Sequence, residues 1–174
     1  MSSAKDTSAP PRLTRLFGLT AIFIAFVLDQ ATKLMALAAL ERGNAQSVLP
    51  FFDLRLSFNQ GISFSMFAET FAGRPLLLAG ISLVIVALFA FLLIRSTARW
   101  EAIAFGLIIG GALGNALDRL RLGAVVDFLD FHVWAYHWPA FNLADAAIVV
   151  GVTVLLAITS LGKYTDNSSK ENPS

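Results

Sequence analysis

The chain has 174 residues, of which 56% are hydrophobic and only 14% are charged. Because soluble domains carry about 25% charged residues, this composition excludes an ordinary water-soluble domain and indicates that lipid surrounds most of the chain. The formal net charge of +1 gives no electrostatic reason to expect a nucleic-acid partner. The absence of cysteine excludes disulfides and thiolate chemistry.

Four apolar segments predict four membrane-spanning helices, because about 20 helical residues cross a hydrocarbon core of about 30 Å. In chain order they are residues 16–40, 76–94, 102–117 and 143–161. The first could instead be a cleaved signal peptide, but Asp29 and the lack of a small-residue cleavage site favour a span. We therefore predict a disordered cytoplasmic tail (1–12), a single membrane domain (13–162) and a second disordered cytoplasmic tail (163–174).

Basic residues predict the orientation, because cytoplasmic loops are enriched in Lys and Arg. Three segments that four helices would place on one side carry such residues: Lys5, Arg12, Arg15, Arg95, Arg99, Lys163 and Lys170. We expect both termini in the cytoplasm and the connections 41–75 and 120–141 on the outer side.

The first outer connection has the alternation of apolar and polar residues that is typical of half-buried strands. Leu54, Leu56 and Phe58 alternate with polar residues, and the pattern resumes at 62–66 after Gln60-Gly61. We expect a small β element with a glycine-containing turn, lying on the outer membrane face. The second connection contains an aromatic cluster, residues 131–138, suited to the headgroup interface.

Polar side chains collect at the outer ends of the predicted helices and in the β segment: Asp29, Lys33, Asn59, Asn115, Asp118, Arg119, Asn142 and Asp145. Spacings of three and four residues place each helical group on one face. A charge in a membrane helix costs at least about 2.5 kcal/mol, so each one needs a partner or a function.

Several polar residues have simple structural interpretations. Asp29 and Lys33 would form an intrahelical ion pair, and Asn142 would cap the fourth helix. Arg119 would extend to the headgroups or pair with Asp118. The other polar residues of the second outer connection, which we interpret as interfacial surface, are Arg121, Asp130, His132 and His137. The spacing of the two histidines is not that of zinc ligands.

Asp127 and Asp145 have no obvious partner nearby in the sequence. Two carboxylates that approach closely cannot both be ionised, and such a pair can perform acid–base chemistry on water and a peptide bond. Spacing alone leaves three alternatives: a peptidase, a small proton- or ion-coupled transporter using the same aspartates, and a structural pair.

Five motifs in the same order resemble the lipoprotein signal peptidases, the type II signal peptidases of bacteria. They are VLDQATK (27–33), FNQGISFSMF (58–67), GGALGNALDRL (110–120), GAVVDFLDF (123–131) and PAFNLADAAI (139–148). One departure is Ser63, which stands where the family usually has alanine.

The resemblance implies an all-α membrane protein: a four-helix transmembrane bundle with a small extramembrane β-cradle and an interfacial loop or helix on the outer face. It implies an intramembrane aspartyl endopeptidase, a hydrolase that removes the signal peptide from diacylglyceryl-modified prolipoproteins just before the lipid-modified cysteine. The expected partners are this substrate and membrane lipid, with no metal or cofactor. We expect a monomer in the bacterial inner membrane, with its active site near the periplasmic face.

The resemblance also implies a role for each motif residue. Asp127 and Asp145 would be the catalytic pair. The residues expected to bind the substrate backbone and position the pair are Asn59, Gly61, Asn115, Arg119 and Asn142. Asp29, Lys33 and Asp118 would hold the helices around the site.

Overall fold

The computed structural model describes residues 11–61 and 73–171. These residues contain four helices: α1 Pro11–Ala39, α2 Pro75–Arg95, α3 Arg99–Leu122 and α4 Leu143–Glu171. All four include a stretch that is long and apolar enough to cross a membrane. The predicted four-helix membrane fold is therefore confirmed.

Local sequence explains where the helices begin and end. Pro75 stands in the first turn of α2, where its missing N–H costs nothing. Gly123 ends α3 in the left-handed conformation (φ 71°), which glycine adopts without steric cost, and its N–H donates to the Arg119 carbonyl.

Proline positions agree with the ends of the first and last helices. Helix α1 begins at Pro11, and α4 ends at Glu171. Proline suits the first turn of a helix but disfavours helix in the residue before it. The next proline after α4 is Pro173, so no proline interrupts the helix before Glu171.

Helix α3 is the centre of the bundle and packs against α1, α2 and α4. Its glycines allow this, because a Cβ atom on Gly110 would lie 2.7 Å from the Ile22 carbonyl oxygen of α1. A Cβ atom on Gly111 would collide with the Ala144 carbonyl oxygen of α4. Backbone-to-backbone packing through small residues is typical of membrane helices.

The extramembrane part contains an antiparallel sheet with the strand order β1-β2-β3-β4. The strands are β1 Ala45–Leu49, β2 Phe52–Asn59, β3 Val125–Val133 and β4 Tyr136–His137. The strand predicted near residues 54–58 is confirmed, but it pairs with β1 and β3, which we did not predict as strands. The alternating segment 62–66, including Ser63, lies outside the described residues.

Strand β3 lies across the ends of three helices. Val126 and Phe128 of β3 pack with Ala36 and Leu40 at the end of α1. The Val126 N–H donates to Asp118 near the end of α3. At the start of α4, the Phe128 and Leu129 N–H groups both donate to the Phe141 carbonyl. This arrangement brings Asp127 next to the first turn of α4.

Candidate active site

Asp127 is buried in the middle of β3, 1% exposed. The Asn142 amide nitrogen donates to Asp127 Oδ1 at 2.6 Å and also to the Val126 carbonyl at 3.2 Å. The Asn59 side chain, from the end of β2, forms a further hydrogen bond with the Asp127 carboxyl. Side chains from β2 and from the start of α4 therefore hold this carboxyl group.

Asp145 lies in the first turn of α4 and forms a capping box with Asn142. The Asp145 N–H donates to Asn142 Oδ1 at 3.0 Å, and the Asn142 N–H donates to Asp145 Oδ2 at 3.3 Å. The Asn115 amide nitrogen donates to the other oxygen of Asp145 at 2.8 Å. The predicted cap is confirmed, and the same asparagine also connects Asp145 to Asp127.

Asp127 is electrostatically coupled to Asp145. Burial and the nearby charge of Asp145 raise the pKa of Asp127 from its ordinary 3.8 to about 7, although hydrogen bonds from Asn59 and Asn142 and the charge of Lys33 act in the opposite direction. The fold thus brings together the two acids that the sequence left without local partners. One proton shared by such a pair is the condition for acid–base chemistry.

Lys33 is buried among three acceptors rather than paired with Asp29 alone. Its Nζ lies 2.9 Å from Asp29 Oδ2, 2.8 Å from Asp118 Oδ2 and 2.9 Å from Asn115 Oδ1. An ammonium group has three donors, so the contacts satisfy all of them. The expected intrahelical pair is present, within a network that joins α1 to α3.

The two carboxylates of this network also bind the backbone beside each candidate catalytic acid. Asp29 Oδ1 accepts from the N–H of Ala144, the residue before Asp145, at 2.9 Å. Asp118 Oδ2 accepts from the N–H of Val126, the residue before Asp127, at 3.1 Å. The network therefore anchors both pieces of chain that carry the acids.

Gln30 belongs to this network, although the sequence analysis assigned it no role. Its amide nitrogen lies 3.1 Å from Asp29 Oδ2 and 3.2 Å from Asp118 Oδ1. Its position between Asp29 and Lys33, where polar residues interrupt the apolar part of α1, was the signal available in the sequence.

Arg119 extends toward the loop after β2. It donates to the Gly61 carbonyl at 3.3 Å and to the Asn115 carbonyl at 3.4 Å. Asp118, which we considered as its partner, binds Lys33 instead. Arg119 Nε is buried and has no hydrogen-bond partner within residues 11–61 and 73–171. The Gly61 N–H donates to Asn59 Oδ1 at 3.0 Å, so Asn59, Gly61 and Arg119 are connected.

A cavity of about 680 Å³ opens beside Asp145. Asn115, Arg119 and Asp145 provide its polar part. The remaining lining is mainly apolar and includes Ile85, Ile108, Ile148 and Val149 from the helices and the segment Trp138, Pro139, Ala140 and Phe141. A cavity with this lining suits an apolar chain whose polar backbone group reaches Asp145.

The interpretation of Asp130 as interfacial surface was wrong. Asp130 is buried, and both its carboxylate oxygens lie close to His137 Nδ1, at 2.9 and 3.0 Å. The cause is the β3–β4 hairpin, which folds His137 back onto β3. Arg121 is exposed, as expected. In the described part of the chain, no three His, Cys, Asp or Glu side chains are arranged to hold a metal ion.

These features define a class: a multi-pass membrane protein with two coupled acids at one end of its helical bundle, beside a largely apolar cavity. The chain belongs to the family described as Signal peptidase (SPase) II, whose sequence model matches residues 21–161. The resemblance inferred from the five motifs is therefore confirmed, and the chain is a peptidase of a bacterial membrane.

Individual relatives agree with this assignment. The chain is 51% identical over 155 residues to a lipoprotein signal peptidase of Rhodopseudomonas palustris (strain TIE-1), covering 85% of this chain and 93% of that protein. It is 46% identical over 149 residues to a lipoprotein signal peptidase of Azoarcus sp. (strain BH72), covering 84% and 85%. A solved structure described as a bacterial membrane enzyme matches with a TM-score of 0.75 at 26% identity, over 90% of this chain and 94% of that one.

Proposed function

We propose that this protein is an aspartyl endopeptidase that removes the signal peptide from diacylglyceryl-modified prolipoproteins, cutting just before the lipid-modified cysteine. Family membership supports the substrate class and favours a peptidase over the transporter that the sequence left open. The observation that carries the aspartyl mechanism is the Asn142 bridge, which binds Asp127 through its side chain and caps the helix turn that holds Asp145.

In the proposed mechanism, Asp127 holds the proton and Asp145 is ionised. The raised pKa of Asp127, about 7, supports this assignment. Asp145 accepts a proton from a water molecule while the water oxygen attacks the scissile carbonyl carbon. Asp127 donates its proton to the carbonyl oxygen, and a neutral tetrahedral diol forms. Asp145 then protonates the leaving nitrogen, Asp127 recovers a proton from a diol hydroxyl, and the C–N bond breaks.

Two polar groups in the cavity bind the substrate backbone in this proposal. The Arg119 side chain lines the cavity together with Asn115. A guanidinium group has five N–H donors, so Arg119 can donate to a substrate carbonyl in addition to the Gly61 and Asn115 carbonyls. The apolar cavity lining holds the apolar side chains next to the scissile bond.

We place the active site near the periplasmic face and both termini in the cytoplasm. The turn between α2 and α3 carries Arg95 and Arg99, and it lies at the end of the bundle opposite the sheet. Because basic residues favour the cytoplasmic side, the sheet and the two acids lie outside. The lipid-modified cysteine of a membrane-anchored substrate reaches the same depth.

The test is cleavage of a purified diacylated prolipoprotein, scored on a gel. We expect Asp127→Asn and Asp145→Asn to remain folded and to form no product, because each removes one proton carrier. Asp53→Asn is the matched control, since it changes another carboxyl of the sheet outside the candidate site. Full cleavage by either site variant overturns the mechanism, and cleavage of the unmodified precursor at the same rate overturns the lipid requirement.

A further inference from the structure

Asp130 is a buried acid that the proposed reaction does not use. Its side chain is 3% exposed, and both its oxygens lie within 3.0 Å of His137 Nδ1. Arg55 also lies near Asp130, but at a distance of 3.7 Å, and the Arg55 side chain is 52% exposed. An exposed pair contributes little. His137 is therefore the principal partner of this carboxylate.

The pair lies at the start of one wall of the cavity. His137 directly precedes the segment 138–141, here called the wall segment, whose four residues line the cavity. Its ends are attached to β3: the Trp138 N–H donates to the Phe131 carbonyl at 2.8 Å, and the Phe141 N–H donates to the Leu129 carbonyl at 3.1 Å. Asp130 lies between these two attachment points on β3. A side-chain contact from Asp130 to His137 therefore fixes the direction in which the chain enters the wall segment.

The surrounding charges increase the importance of this contact. Asp53 of β2 is the cross-strand partner of Asp130, and like charges directly opposite destabilise a sheet. His132 lies 3.3 Å from Asp53, and its ring stacks on that of His137 with 4.9 Å between centroids. Each histidine thus lies next to one of the two acids. Of the two histidines, His137 is the one that directly precedes the wall segment.

We propose that Asp130 and His137 form a positioning pair that sets the wall segment and thereby the affinity for substrate. The inference rests on the proposed function, because it takes the cavity to be the substrate site. It differs from that proposal in predicting an effect on binding and not on the chemical step.

The experiment measures KM and kcat for the diacylated prolipoprotein with Asp130→Ala, His137→Ala and the double variant. We expect each single variant to raise KM by about five- to tenfold with kcat within about twofold, because it removes one buried side-chain contact. The double variant should be no worse than the singles, because two residues that act as a unit are not additive. His137→Asn, whose amide can donate near the Nδ1 position, should recover part of the affinity.

Glu41→Ala is the matched control, because it removes an exposed acid next to the same sheet that has no described contact with Asp130, His132 or His137. Its KM should equal that of the unaltered protein. A second readout is the fluorescence of Trp138 after Trp100→Phe and Trp134→Phe, which should shift with His137→Ala but not with Glu41→Ala. This readout does not depend on catalysis.

The outcomes separate the two proposals. An unchanged KM in the Asp130 and His137 variants, a loss confined to kcat, or additive effects in the double variant each overturn the positioning pair, while an inactive Asp127→Asn leaves the proposed function intact. Cleavage by Asp127→Asn instead overturns the mechanism. If Asp130→Ala does not fold, the comparison of His137→Ala with His137→Asn decides.

Discussion

A single side chain, Asn142, explains how the two acids are brought together. Its amide nitrogen donates to Asp127, and its amide oxygen accepts from the backbone of Asp145. An aspartate at this position would cap the helix but could not donate to a carboxylate. An amide performs both functions, which is the chemical reason for an asparagine between two acids.

The raised pKa of Asp127 predicts how pH affects stability. In the folded protein this carboxyl keeps its proton up to about pH 7, whereas an unfolded aspartate loses it near 3.8. Between these values the unfolded state binds fewer protons, so the free energy of unfolding decreases as pH rises. Asp127→Asn has no proton to lose, and we expect its melting temperature in detergent to exceed that of the unaltered protein at pH 8 more than at pH 4.

Asp53→Asn serves as the control for this pH series, because it changes a carboxyl outside the coupled pair. If the melting temperatures of Asp127→Asn and the unaltered protein differ by the same amount at pH 4 and pH 8, the raised pKa of Asp127 is contradicted.

At the residue scale, sequence reasoning identified two buried acids as candidate site residues and missed the internal role of a third. Asp127 and Asp145 were identified because no cation lay near them in the sequence, and their partners are indeed brought by the fold. Asp130 was interpreted as interfacial surface instead, because its partner His137 is seven residues away and returns only through the β3–β4 hairpin. Contacts made by a turn of this kind leave no periodic signal in the sequence.

At the scale of elements, the glycines of α3 determine how closely the helices pack. Gly110→Ala would place a Cβ atom 2.7 Å from the Ile22 carbonyl oxygen, and a backbone atom cannot move without moving its helix. We expect α1 and α3 to separate and the melting temperature in detergent to fall.

Gly80→Ala is the matched control, because a Cβ atom at this position of α2 has no described neighbour within 4 Å. The control should melt at the same temperature as the unaltered protein or slightly higher, since alanine favours helix over glycine. Equal melting temperatures for the two variants contradict the packing argument.

The elements differ in how well sequence predicts them. Helices α1 to α4 were predicted from the length of the apolar segments. A membrane-spanning helix needs this length whatever tertiary contacts it makes. Strand β3 was not predicted because residues 125–128 are all buried, so the strand lacks the alternation of a half-buried one. Strand β1 is exposed along its whole length and gives no hydrophobic signal either.

At the scale of the whole molecule, the buried ion network joins pieces from both halves of the chain. Lys33 connects α1 to α3, Asp29 holds the start of α4, and Asp118 holds β3. We expect Asp29→Ala to lower the melting temperature in detergent while some cleavage remains, because its role is to hold the structure.

Lys33→Met should have the larger effect, since it leaves two buried carboxylates without their cation, and breaking such a pair costs about 3–5 kcal/mol. Thermal unfolding and the gel assay on the same preparations test both variants. Complete loss of cleavage by Asp29→Ala with an unchanged melting temperature would instead make Asp29 part of the chemistry.

The positions of the two acids in the sequence also have a consequence during biosynthesis. Asp127 leaves the ribosome well before Asp145, and the asparagine that links them is made between the two. A nascent chain with three helices in the membrane therefore holds one acid and no partner for it. In the proposed mechanism, proteolytic capacity therefore arises only when the last helix enters the bilayer, and a stalled or truncated translation product is expected not to cut the proteins around it.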